Sequence, residues 1–525
     1  MGRYLNVDNS LFKQDLNSDI YVDKSLIIEK LNKVANKQNK FLCVSRPRRF
    51  GKTMATTLIN AYYSKGCDSR DLFSNLKIAD TPNWDKRLNK FNVIKIDMNA
   101  EYENIEDKKN FLKIMSKRII KELAKQFPQC DLDMDESLEY NLYDIYDQTK
   151  EQFVIIIDEY DLPVRRQVPL DEFNKYLSFL NGLFKNSVLR PAIHFAYLTG
   201  ILPVVRDKIQ SKLNEFKEYS MVQARELSGF IGFTEDEVKS LCDKYNMDFE
   251  ECKAWYNGYK IGSDNSIYNP CSVVDAMTTH KFGDYCTTTG SYEALKKYIL
   301  MDFEGIKHDI TSMLSGNSVE VNIYKYLNTM TDFHSKDDIF TYLIHLGYLA
   351  YDEDKKVCWI PNKEIASEWV NSIENEKDYS EVVALIKNSK ALLENTLNCD
   401  EEAVAKALDK YHIIATNSKT YNNEGSLQSA ICLAYFYARE TYTLIQELTT
   451  GQGYADVVFL PRFPNKPAII VELKTNKSTD TAMNQIKNKQ YGEDLQHYSG
   501  NMILVAINYN RDSKKHTCKI EKIAK

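Results

Sequence analysis

No stretch of this 525-residue chain stays apolar for anything near 18 residues, so nothing in it is expected to span a membrane. C-x-x-C pairs are missing as well. The eleven cysteines stand singly between Cys43 and Cys518, a pattern of reduced thiols rather than of a disulfide frame. The opening Met1-Gly-Arg-Tyr-Leu runs into Asn and Asp instead of an apolar signal segment, and Asn6 stands where N-myristoylation needs Ser or Thr. A cytoplasmic location is the expectation from these absences. There is no internal repeat, no low-complexity linker, no zinc finger and no basic strand interleaved with aromatics, so no reader module for nucleic acid is announced.

What is present is the balance of a globular protein, 43% hydrophobic and 27% charged. At roughly 100–200 residues per domain, the length points to about three domains. The net charge of −6 excludes a chain that is basic throughout. It hides an asymmetry, because from Asp456 onward 12 Lys and Arg stand against 7 Asp and Glu, a local charge of +5. Such a segment attracts phosphates, or is a solvated tail at places such as Lys514-Lys515.

The first third alternates apolar runs with helical spacing: runs at 41–44, 91–96, 153–157 and 192–198, helices at 53–63 and 106–127. That order predicts a doubly wound α/β domain. Ser45-Arg-Pro-Arg-Arg-Phe-Gly-Lys-Thr53 lies at its first strand-to-helix junction. Backbone N–H groups there, with Arg49, Gly51, Lys52 and Thr53, suit a phosphate cradle, and the Thr53 hydroxyl suits Mg²⁺. Arg46 occupies the place of the first glycine of the usual G-x-x-x-x-G-K-[ST] loop, so the loop must curve differently.

Val154-Ile-Ile-Ile-Asp158-Glu159 is an apolar strand ending in two acids, which it delivers to the sheet edge where ligands bind in open α/β sheets. Asp158 is the expected metal carboxylate and Glu159 the group that polarises the attacking water. Thr199, closing the run at 192–198, is either a γ-phosphate sensor or a turn residue. Arg165 and Arg166 read as surface arginines, with charge-stabilising fingers as the alternative.

Toward the C-terminus, Asp456 and the run Glu472-Leu473-Lys474 fall on two predicted strands, 455–460 and 468–473. Two carboxylates at a strand end can hold Mg²⁺ or Mn²⁺, and Lys474, two residues after Glu472, shares its face. This is a set able to hydrolyse a phosphodiester bond. Gly451 and Gly453 precede the first strand, and 502–507 supplies a third. A helix is expected over 427–441, and Thr234-Glu-Asp-Glu237 reads as a capped helix start.

Together, the loop 45–53, Tyr21-Val-Asp-Lys-Ser25, Asp158-Glu-Tyr-Asp161 with Pro163, Trp255-Tyr-Asn-Gly-Tyr259, Tyr268-Asn-Pro-Cys-Ser272, Gly451-Gln-Gly-Tyr-Ala-Asp456 and Glu472-Leu-Lys474 resemble the AAA-ATPase-like proteins with a C-terminal PD-(D/E)XK nuclease domain. In that family Arg is usual at the position of Arg46. The resemblance implies an α/β multidomain chain: an ASCE-type P-loop ATPase domain over 1–217, a mainly helical, winged-helix-like middle region over 218–375, and a restriction-endonuclease-like α/β domain over 376–525.

It further implies support for the nuclease site from Glu424 and from Gln485, with Glu440 and Glu447 as alternatives to the first and plain solvated helix faces as the default for all. The aromatic middle motifs read as packing at a domain junction. The expected cofactors are ATP and Mg²⁺ or Mn²⁺, and the expected partner is nucleic acid, DNA ahead of RNA. The expected activity is ATP binding and hydrolysis joined to phosphodiester hydrolysis. The alternative is a nucleotide-switched binding protein whose nuclease fold is inactive.

Overall fold

The computed structural model describes residues 2–203, 215–223, 225–262, 264–285, 291–301, 303, 305–325, 333–415, 424–450, 453–462, 466–488 and 500–523, with only the backbone at a few of these, Glu424 and Asp456 among them. It divides into two compact units. One comprises residues 1–286 and 320–361, the other 287–319 and 362–525, so the middle region expected over 218–375 is shared between both. No helix among the described residues is long and apolar enough to cross a membrane.

The first unit is built on five parallel strands, β1 (Phe41–Ser45), β2 (Asn92–Asp97), β3 (Phe153–Asp158), β4 (Ile193–Gly200) and β5 (Lys217–Tyr219), in the order β2-β3-β4-β1-β5. Every residue of β1, β3 and β4 is buried, as continuous apolar runs require when helices cover both faces. Phe153, Ile155 and Ile157 pack against Met115, Ile119 and Leu180 from helices Phe111–Gln126 and Leu170–Phe184. The opposite face carries helix α1 (Lys52–Tyr63). Because β4 lies between β1 and β3, the C-terminal ends of all three strands meet at one edge.

The same unit holds a small antiparallel sheet of Phe233–Thr234, β6 (Tyr259–Ile261) and β7 (Asp264–Tyr268). Around it pack helix Glu235–Tyr245 and α3 (Pro270–Thr279), numbered after the short helix α2 (Leu162–Arg165), through Val238, Leu241, Val273 and Met277. The capping box at Thr234 and Glu237 is present in both directions. Helix α4 (Lys336–Leu346) then leads into a hairpin of β8 (Ala350–Asp352) and β9 (Val357–Trp359), and the unit ends at Pro361.

In the second unit, helix α5 (Glu424–Ala434) precedes a mixed sheet in sequential order: β10 (Tyr442–Thr450), β11 (Gly453–Pro461), β12 (Ala468–Thr475), β13 (Met502–Asn510) and β14 (Lys515–Ile523). Only β12 and β13 run parallel, with helix α6 (Thr479–Asn488) crossing between them. The helix expected over 427–441 stops at Ala434, and Tyr442–Thr450 is a strand paired with β11 along its length. Its Tyr, Thr and Ile content favours the pleat once a partner strand lies beside it.

Candidate nucleotide and phosphodiester sites

The loop after β1 reaches α1 through two left-handed residues, Arg49 at φ 66° and Gly51 at φ 87°, and Gly51 caps the helix. These turns aim the first amides of α1 at the sheet edge. Lys52 is buried, and its Nζ donates to the carbonyl oxygens of Arg46 at 3.0 Å and Pro47 at 2.7 Å. Burial lowers its pKa to about 8. Arg49 lies at the solvent side, its guanidinium donating to the Tyr285 carbonyl at 3.1 Å.

Asp158 is in phase with Val154 and Ile156 and so faces α1, where the Thr53 side chain hydrogen-bonds to it. Burial pushes its carboxyl up to about 6, against the pull of Thr53 and Lys52 and with the help of Asp97. Asp97 and Thr199 stand directly opposite Asp158 on the two neighbouring strands. The Thr199 hydroxyl is buried and has no hydrogen-bond partner among the described residues. A hydroxyl and a carboxylate held together, with an orphaned hydroxyl beside them, form an oxygen donor set of the kind that fits Mg²⁺ and a phosphate.

Glu159 adopts the left-handed conformation at φ 53°, with its amide donating to Asp158 Oδ1 at 2.9 Å. Its carboxylate takes a hydrogen bond from Arg165 Nη2 at 2.8 Å. Arg165 is therefore no surface residue: its side chain is only 16% exposed and also pairs with the fully buried Asp161. Arg166 does lie at the surface, paired with Glu103.

A cavity of about 1010 Å³ adjoins these groups, a volume at the upper end of small-molecule pockets. Its lining includes the polar and charged side chains of Lys52, Thr53, Glu159 and Arg165. It also includes the largely apolar side chains of Tyr21, Phe230, Phe233, Pro270 and Val274. The motif around Tyr268–Ser272 thus contributes wall residues and not only packing, since Pro270 and Cys271 line the cavity.

In the second unit, Glu472 and Lys474 are both buried on β12, where Lys474 Nζ donates to Glu472 Oε1 at 2.9 Å. They are in phase with Ala468 and Ile470, the face that packs against Ala482, Met483 and Ile486 of α6. Gln485 is half-buried on this same helix. Asn508 aligns with Lys474 on β13, and its Oδ1 accepts from the Lys477 amide at 2.9 Å. On β11 the backbone register pairs Val457 with Val471, which leaves Asp456 and Glu472 as the next residues on either strand. The Asp456 side chain lies outside the described residues, as does that of Glu424, the first residue of α5, a helix that packs on β11 and β12. Glu440 is exposed in a short turn after α5, and Glu447 belongs to strand β10 rather than to a helix.

Residues 12–210 match the family model described as a predicted AAA-ATPase, and residues 422–519 match the model of the PD-(D/E)XK nuclease superfamily. The chain carries an AAA-ATPase-like domain and a PD-(D/E)XK nuclease superfamily domain.

A curated relative, described as "Uncharacterized protein in vnfD 5'region" of Azotobacter chroococcum mcd 1, is 26% identical over 281 residues, 52% of this chain and 51% of that protein. The chain thus spans about half the length of the curated relative it matches. Similar solved structures include the Aeropyrum pernix ORC2 protein in ADPNP-ADP complexes, with TM-score 0.28, 9% identity, and coverage of 69% of this chain and 98% of that one. The Drosophila ORC bound to DNA gives TM-score 0.21 and 12% identity, covering 70% and 91%. Nothing about function follows from likenesses this distant.

Within the AAA-ATPase-like domain, the contacts of Asp161, Arg165 and Asp97 are set by the fold and not by a motif. Asp161 Oδ2 accepts from the amides of Ile201 at 3.0 Å and Leu202 at 2.9 Å, which ties the Asp158-Glu159 turn to the end of β4. The signal for Asp161 was present in the Asp158-Glu-Tyr-Asp161 string. For Arg165 the sequence offers a surface position or a charge-stabilising finger, and neither names its partners, which are set by the tight turn through Glu159.

Proposed function

We propose that the chain binds and hydrolyses ATP at the edge of its parallel sheet and hydrolyses nucleic-acid phosphodiester bonds at the edge of its mixed sheet. One observation carries the reading: a buried lysine stands near acids at the edge of each sheet, Lys52 at the start of α1 with Asp158 and Glu159 in one unit, Lys474 with Glu472 on β12 in the other.

At the first site the triphosphate lies against Lys52 and Thr53, and the base packs on the apolar lining of the cavity. Lys52 leaves the Arg46 and Pro47 carbonyls for the phosphate oxygens. Thr53 and Asp158 hold Mg²⁺, which supplies charge neutralisation when bound. Glu159, once released by Arg165, accepts the proton of the attacking water, and Thr199 donates to the γ-phosphate. At the second site Asp456 and Glu472 are the residues for Mg²⁺ or Mn²⁺, while Lys474 orients the water and balances charge on the phosphate. Glu424 and Gln485 are proposed to support it. DNA is the favoured substrate.

The test uses the purified full chain with Mg²⁺ or Mn²⁺, ATP and labelled DNA or RNA. ATP hydrolysis should be lost in Lys52→Ala and in Glu159→Gln, the latter keeping nucleotide binding. Cleavage should be lost in Asp456→Ala and Lys474→Ala. Cleavage that persists in those two variants removes the second site, and binding of nucleic acid without any cleavage favours a nucleotide-switched binding protein instead.

A further inference from the structure

The Trp255-Tyr-Asn-Gly-Tyr259 motif takes no part in the chemistry above, yet two adjacent residues of it touch two distant places in the unit. The ring of Tyr259 meets Phe50 of the phosphate loop edge to face, with centroids 5.5 Å apart. Its hydroxyl donates to the Gly347 carbonyl at 2.6 Å. Gly347 ends α4 in the left-handed region at φ 88°, and a Cβ there would lie 2.7 Å from the ring of Pro47, so the phosphate loop rests directly on this glycine. Gly258, at φ 110°, lies so close to Pro361 that a Cβ would stand 2.0 Å from its carbonyl oxygen. Lys260, the next residue of the strand, pairs with Asp352 of the β8–β9 hairpin at 3.0 Å.

Lys52 now satisfies the carbonyl of Pro47 at 2.7 Å, and a phosphate that takes the ammonium leaves that buried carbonyl without its donor. The loop must then rearrange at Pro47 and Phe50, the two residues clasped by Gly347 and Tyr259. Packed interiors respond to such a change by shifting between discrete arrangements rather than by yielding smoothly.

We propose that Gly258-Tyr259 passes the state of the phosphate loop to the β8–β9 hairpin and to Pro361, where the chain leaves for the unit bearing the nuclease superfamily domain. The inference rests on the nucleotide site proposed above. It makes no use of the nuclease reaction.

Hydrogen exchange of the full chain, with and without Mg²⁺ and a non-hydrolysable ATP analogue, tests it. In the wild type the analogue should slow exchange by about tenfold both in the loop, residues 45–60, and in residues 344–361. In Tyr259→Phe, which keeps the ring but loses the bond to Gly347, the loop and Gly347 beneath Pro47 should stay protected while the effect at 350–361 is lost. Gly258→Ala, which collides with Pro361, should give the same split. Equal protection of 350–361 in Tyr259→Phe and wild type overturns the proposal, and so does a wild type whose loop is protected while 350–361 does not respond. A loop that is not protected at all overturns the nucleotide site itself, an outcome read separately at residues 45–60.

Discussion

Arg165 reaches back six residues to hold Glu159 at 2.8 Å while its Nε faces Asp161 at 3.2 Å, so a single guanidinium serves the proposed water-activating carboxylate and a fully buried one. Those two acids hold the Arg165 pKa above its ordinary value despite burial. Asp161 cannot reach water, and Arg165→Gln leaves its charge without a cation, held only by the Ile201 and Leu202 amides. The expected loss of stability is about 3–5 kcal/mol, the range for breaking a buried pair from one side. Asp161→Asn with Arg165→Gln should lose less than the two single changes added together, by about 1 kcal/mol or more, in denaturant titrations. Strict additivity would show that the two side chains do not depend on each other.

Arg46 stands where the usual phosphate loop has glycine, and it turns away from the loop. Its side chain is wholly buried, with Nη1 donating to the carbonyls of Ser45 at 2.8 Å and Tyr219 at 3.2 Å, and with Nε and Nη2 unpartnered among the described residues. Burial lowers its pKa to about 10. A cation this poorly satisfied should be replaceable by a side chain of like volume, so Arg46→Met is expected to be neutral or to stabilise by about 1–4 kcal/mol. Arg46→Gly, the residue of the usual motif, leaves a cavity and should cost about 3–5 kcal/mol, by analogy with large core truncations. Thermal melts of both variants decide the matter, and a marked loss in Arg46→Met would show that the charge itself holds β5 against β1.

Local chemistry made part of this architecture legible. The run Val154–Ile157 could only be a buried strand, Gly51 could take the left-handed turn into α1, and Thr234 with Glu237 announced a helix start through side chains three residues apart. Strand β10 was hidden because Tyr442–Thr450 carries no turn signal separating it from α5, and its pairing with β11 is a tertiary fact. The lysine-rich C-terminus, readable as a solvated tail, is strand β14 at the sheet edge, where lysines discourage pairing with another chain. Arg165 was misread for a related reason: spacing shows neither that Glu159 takes a left-handed turn nor that Asp161 is buried beneath it.

His194 gives the AAA-ATPase-like domain a sensitivity to acid. The ring is buried on β4, stacked on Phe91 at 4.0 Å, with Nδ1 3.2 Å from Gln152 Oε1. Burial, with the charges of Arg87 and Lys40, lowers its pKa from 6.5 to about 4. The unfolded chain therefore takes up a proton that the folded chain refuses. Above pH 6.5 its titration has no effect on stability; as pH falls from 6.5 toward 4, stability is lost at up to about 1.4 kcal/mol per unit. His194→Gln should lose several degrees less than wild type in melting temperature between pH 7 and pH 5. Parallel losses in the two proteins would refute the assignment.

Glu472 and Lys474 are each other's neighbours on one buried face of β12, and the 2.9 Å contact means that neither can be removed alone without exposing the cost of burying the other. Glu472→Ala leaves an ammonium in a poorly hydrated place and should destabilise the second unit by about 3 kcal/mol or more. Lys474→Met leaves the Glu472 carboxylate buried without its cation and should destabilise the unit by a similar amount. The double variant Glu472→Gln with Lys474→Met removes both charges at similar volume and should recover most of the loss. Cleavage of DNA should be absent from all three. Recovery of stability without recovery of cleavage separates the part these charges play in folding from their part at the phosphodiester, and cleavage by the double variant would place the reaction elsewhere in the chain.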